Sequence, residues 1–171
     1  MIKNNIKSFL IHIVISISSI IIFIAFNTSQ VKWISEEAAK NHQYSMIFIA
    51  AVSSIIAIVL YYLLGKKFLT QYRSIYKNIL SVSLVAILGG VLWGIAFNIL
   101  ITETSDILLN SELWKIYSIY NGYSLFLINE CKINNPYLYL LFSFIPSIVM
   151  GLGIKYKKEE VCNTSLRDRK I

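Results

Sequence analysis

Charge is what this chain withholds. Residues 8–31, 43–65, 78–102 and 133–154 contain no aspartate, glutamate, lysine or arginine, although 15% of the 171 residues are charged. Each window is 22 to 25 residues long. About 20 apolar residues in a helix cross the ~30 Å hydrocarbon core of a bilayer. Cation- and proton-coupled pumps place a carboxylate inside such spans, so its absence argues against an autonomous coupled transporter.

Cysteine is scarce as well. There are two, Cys131 and Cys162, and on the topology derived below they lie on opposite sides of the membrane. That excludes an intramolecular disulfide, a thiol–disulfide pair and a cysteine zinc site. No HExxH, no Gly-x-Ser-x-Gly and no glycine-rich phosphate loop occurs. The sequence therefore offers no catalytic, cofactor-binding or metal-ligating set. No stretch outside the windows is long enough for a separate soluble domain.

What is present is an all-α integral membrane pattern. We expect a single transmembrane domain over 1–171 with four antiparallel helices, at about 9–26, 44–64, 79–101 and 137–154. The run from Phe9 to Phe26 exceeds the ~7–15 residues of a signal-peptide apolar region, so it reads as a retained helix.

The net charge of +7 is unevenly placed. Residues 1–7, 66–77 and 155–171 are basic, 32–42 are neutral and 103–132 are acidic. Excess lysine and arginine in alternate loops follows the positive-inside rule, which puts both termini and the 66–77 loop in the cytoplasm. Charge so arranged faces anionic headgroups rather than nucleic acid. Tyr61, Tyr62, Tyr72, Tyr76 and Tyr156 mark the inner interface, and Trp33, Tyr44, Tyr137 and Tyr139 the outer one.

Polar and small residues recur at helical spacing. His12, Ser16 and Ser19 share one face of the first span. Ala86, Gly90, Gly94 and Asn98 fall every four residues along the third span, and Ser143, Ser147 and Gly151 do so along the fourth. Small residues let helices approach closely in lipid, where packing replaces the hydrophobic drive. Pro146 interrupts the fourth span and frees a carbonyl near Phe142. His12 and Asn98 are the candidate pathway or polar contacts.

Between the third and fourth spans, residues 106–120 have an approximately helical apolar period, which suggests a short amphipathic helix in the outer interface. Residues 113–130 could instead be re-entrant. The uncharged part, 116–129, is too short to cross and contains Asn121-Gly122. Glu103, Asp106 and Glu112 form a possible outer acidic patch. Ser35 with Glu36 and Glu37 reads as a helix start, and Gly65 before Lys66-Lys67 as a stop.

The functional expectation is a non-catalytic multi-pass protein of the cytoplasmic membrane. It would act through helix–helix contacts, with another membrane protein or itself, as an accessory or protective subunit. One alternative is a small oligomeric permease or channel for a neutral or lipid-like substrate, with His12, Trp93, Asn98 and the Pro146 kink along its path. The other is an outer-face enzyme using Glu103, Asp106, Glu112 or His42.

Overall fold

The computed structural model describes residues 1–27, 36–102, 112–133 and 135–167, with side chains at all of these except 27, 99–102 and 158–167. The described residues form seven helices and no strand. They are α1 (Ile2–Asn27), α2 (Glu36–Phe68), α3 (Ile75–Leu80), α4 (Ser83–Thr102), α5 (Glu112–Tyr120), α6 (Gly122–Glu130) and α7 (Pro136–Arg167). Three are long and apolar enough to cross a membrane: Ile2–Phe26, Glu36–Phe68 and Pro136–Lys157. α4 is apolar over the shorter stretch Ser83–Asn98. Trp33, Glu103 and Asp106 lie outside the described residues.

α2 begins with Glu36 and Glu37 and ends with Lys66 and Lys67, so both termini carry the charge that complements the helix dipole. It does not stop at Gly65. A Cβ there would stand 2.9 Å from the Cα of Met150, so this glycine lets α7 pass against α2. Gly153 does the same from the other helix, against the α2 backbone at Tyr62 and Lys66.

The third charge-free window is split at Ser81-Val82 into α3 and α4. The exposed backbone groups of the split are met by other helices. The Ser147 hydroxyl donates to Val82 O at 2.8 Å and accepts from the Ala86 N–H at 3.2 Å. Asn5 Oδ1 accepts the Leu84 N–H at 3.1 Å, acting as an N-cap supplied by α1. Asn4 holds the α2–α3 linker through both Thr70 backbone groups and reaches Ser81 Oγ. Asn5→Ala should therefore cost about 1 kcal/mol, as loss of a helix cap does, while Asn5→Asp keeps the acceptor. Equilibrium unfolding in mixed detergent would measure both, and equal stabilities for the two variants would refute the cap.

These contacts orient the helices. Lys7 Nζ reaches Phe68 O, so α1 starts where α2 ends. Trp93 donates to Pro136 O at 2.7 Å, so α7 starts beside the second half of α4. Lys3, Lys7, Lys66, Lys67, Arg73 and Lys77 gather at one end of the bundle. Glu36, Glu37, Glu112 and Glu130 gather at the other, together with Lys40, Lys115 and Lys132.

α5 and α6 do not lie across the helix ends as the expected amphipathic helix would. Trp114 of α5 packs with Ala96 near the end of α4. Six residues on, Tyr120 donates to Val85 O near the α4 start. The chain turns at Asn121, whose backbone leaves helical geometry. α6 then returns along α1, with Gly122 at Ser16 and Phe126 against Phe23. The pair is a helical hairpin inserted between α1, α2, α4 and α7. Trp114, Tyr117, Tyr120, Tyr123 and Phe126 are all buried.

Candidate functional site: the polar core at the hairpin tip

The bundle is apolar outside and polar within. Leu10, Val14, Ile21, Ile55, Val91 and Leu141 are exposed, whereas Asn4, Ser8, His12, Ser16 and Ser19 are at most 5% exposed. Those five polar residues recur at three- or four-residue steps, so they form one stripe down α1. Its middle, at His12 and Ser16, faces the tip of the hairpin, while Asn4 meets the α2–α3 linker. In lipid, water supplies no driving force for helices to meet, and interhelical hydrogen bonds of about 0.6–2 kcal/mol take its place.

His12 sits at the centre. Its Nδ1 is 2.8 Å from the Tyr61 hydroxyl, and its ring lies 4.5 Å from that of Tyr120. Tyr61 meets Tyr123 edge-on at 5.5 Å. Ser16 donates to Tyr120 O at 2.8 Å and Ser54 to Tyr123 O at 3.2 Å. Tyr117 bonds Ser143 Oγ at 3.0 Å and donates to Tyr139 O. Tyr123 donates to Phe142 O, the carbonyl that Pro146, four residues on, leaves without its helical donor. The hairpin thus ends at the point where the proline opens α7.

Most hydroxyls in this core bond backbone carbonyls of a neighbouring helix. Their protons hold elements together, and the group touching His12 Nδ1 is a phenol. Three buried atoms have no partner among the described residues: His12 Nε2, Asn121 Oδ1 and Trp114 Nε1. Asn121 Nδ2 reaches Tyr117 O and Ser143 Oγ only at 3.5 and 3.4 Å. No group of three or more His, Cys, Asp or Glu side chains able to hold a metal occurs among the described residues.

Family models, curated proteins and solved structures were each compared with the chain, and none matches.

The residues singled out in the sequence are distributed as follows. His12, Ser16 and Ser19 do share a buried face. Ala86, Ser143, Ser147 and Gly151 are buried between helices, Gly151 against Ile79 of α3. Gly90 and Gly94 have nothing within 4 Å of an added Cβ, and Asn98 is exposed. His12 and Asn98 do not come together. Gly89, one residue from Gly90, is the α4 glycine that packs, 2.7 Å from Ser143 through an added Cβ. Glu112 is exposed and pairs with Lys115 at 2.7 Å. Tyr61 and Tyr139, assigned to the interfaces, are buried, whereas Tyr44, Tyr76 and Tyr137 are well exposed.

The sequence reading missed Tyr61, Tyr117, Tyr120, Tyr123, Ser54 and Asn121 as core residues. One signal was available: Trp114, Tyr117 and Tyr120 fall three apart, so the large aromatics of α5 share a face.

Proposed function

We propose that this chain is a multi-pass protein of the cytoplasmic membrane with both termini inside. In this reading α1, α2, α4 and α7 are four antiparallel spans, and the α5–α6 hairpin is re-entrant from the outer side. The basic end formed by α1, α2 and α3, opposite an end where described glutamates and lysines nearly balance, supports this orientation through the positive-inside rule. The protein is non-catalytic and acts by lateral helix contact, as an accessory or protective subunit of another membrane protein.

One observation carries this reading. Gly65, Gly89, Gly122 and Gly153 are each required by a close contact inside the chain, while Gly90 and Gly94 meet nothing. Two open glycines four apart on an apolar helix give a partner helix a smooth surface for close approach. The test is the mass of the intact complex in mild detergent. Gly90→Leu and Gly94→Leu should each leave the monomer's stability within about 0.5 kcal/mol of the parent, as surface changes do. They should also release a stoichiometric partner protein. A parent that carries lipid alone would sink the reading, and so would leucine variants that keep their partner.

A second reading has its own observation. Among the described residues Asn121 Oδ1 and His12 Nε2 are buried without hydrogen-bond partners, which would suit a small oligomeric permease whose neutral substrate meets the hairpin tip. Solute flux into liposomes that disappears in Asn121→Leu would favour it.

A further inference from the structure

We propose that the α1–α2 face is a binding site for one anionic phospholipid. An acyl chain would lie in its groove, with the phosphate held by Lys7 and Lys67. The groove has a volume of about 490 Å³, within the roughly 300–1,000 Å³ of small-ligand sites. Val14, Ser18, Ile22, Ser53, Ile56 and Leu64 are among its lining residues. It runs from Phe48 to Leu64 along α2, about 24 Å at 1.5 Å per residue. That exceeds one leaflet's share of the ~30 Å hydrocarbon core, so a full acyl chain can lie along it.

Charge at one end selects the occupant. Lys7 precedes Val14 by seven residues and Ser18 by eleven, which keeps it on the groove side of α1. Lys67 follows Leu64 by three residues and Leu60 by seven, on the groove side of α2. Lys7 Nζ reaches Phe68 O at 3.2 Å, and Lys67 Nζ lies 5.4 Å above the Phe68 ring. The two ammonium groups therefore flank the same residue, one turn beyond Leu64, the last groove residue of α2, while Lys7 itself stands two turns before Val14, the first of α1. An apolar trough that runs toward two cations one to two turns beyond its end fits a lipid with a negative headgroup. A neutral transmembrane segment would leave the lysines unused.

The inference rests on the chain being embedded in a membrane, and does not depend on which end faces the cytoplasm. The test is native mass spectrometry of the full chain in mild detergent, titrated with phosphatidylglycerol or phosphatidylcholine. We expect one phosphatidylglycerol to be retained preferentially. The double variant Lys7→Gln, Lys67→Gln should weaken it about 25-fold, since each basic residue near an anionic lipid contributes about fivefold. The Lys→Arg pair should retain it. Ser53→Phe, which fills the groove and leaves both lysines in place, should also lower occupancy. Equal retention of the two lipids would overturn the site, as would glutamine variants that bind like the parent. Displacement of the lipid by a protein helix would overturn it in favour of a docking face. A chain that stays dispersed without detergent would overturn the membrane reading as well.

Discussion

Gly153→Ala is expected to destabilise the bundle by about 3 kcal/mol or more, at the upper end of what overpacking costs. The added methyl would overlap Tyr62 O and stand 3.0 Å from Lys66 N. Both are backbone atoms of α2, so no rotamer change can make room. Gly65 faces Met150 in the same way, so α2 cannot slide along α7 to relieve the clash. Separating the helices by even 1 Å would weaken the dispersion contacts along their whole length. The measurement is the midpoint of unfolding in mixed detergent, with Gly90→Leu as the control. A much larger side chain at Gly90 should matter far less, because it meets open space. If the two substitutions cost the same, the α2–α7 approach is not what these glycines serve.

Tyr123→Phe is the second large effect, and its size should depend on a residue in another helix. Pro146 has no N–H, so Phe142 O cannot complete its helical bond. Tyr123 completes it from α6. Removing the hydroxyl strands a carbonyl inside the bundle, at about 2 kcal/mol. Pro146→Ala restores an N–H that can close onto Phe142 O. In that background Tyr123→Phe should cost only about 0.5 kcal/mol, giving a double-mutant coupling above 1 kcal/mol. Additive losses would show that the contribution of the Tyr123 hydroxyl does not depend on the carbonyl that Pro146 frees.

The long helices were legible because absence of charge is a local property that lipid imposes residue by residue. The α1 stripe was legible for a similar reason, since His12, Ser16 and Ser19 stand out against isoleucine. The hairpin was less so. Residues 112–130 alternate apolar and polar groups as an interfacial helix would, and only the surrounding helices decide whether Tyr117 and Tyr120 meet lipid or protein.

Spacing also misdirected the search for packed glycines. Gly90 and Gly94 stand out because they repeat every four residues, but a repeat identifies a face without saying what lies opposite. Gly89 is about 100° around the helix from Gly90, and that is the side Ser143 occupies. Gly65 and Gly153 are 88 positions apart in sequence and become a pair only when α7 lies on α2.

The hairpin also sets an order of manufacture. Its carbonyls at Tyr120 and Tyr123 accept from Ser16 of α1 and Ser54 of α2, and its hydroxyls donate to Val85 of α4 and to Tyr139 and Phe142 of α7. α7 is synthesised after the hairpin, so α5 and α6 leave the ribosome before two of their acceptors exist. During that interval Tyr117 and Tyr123 must stay hydrated or borrow other partners. The hairpin can seat fully only when α7 closes over it, so this earlier stretch of sequence reaches its native place after a later one has arrived.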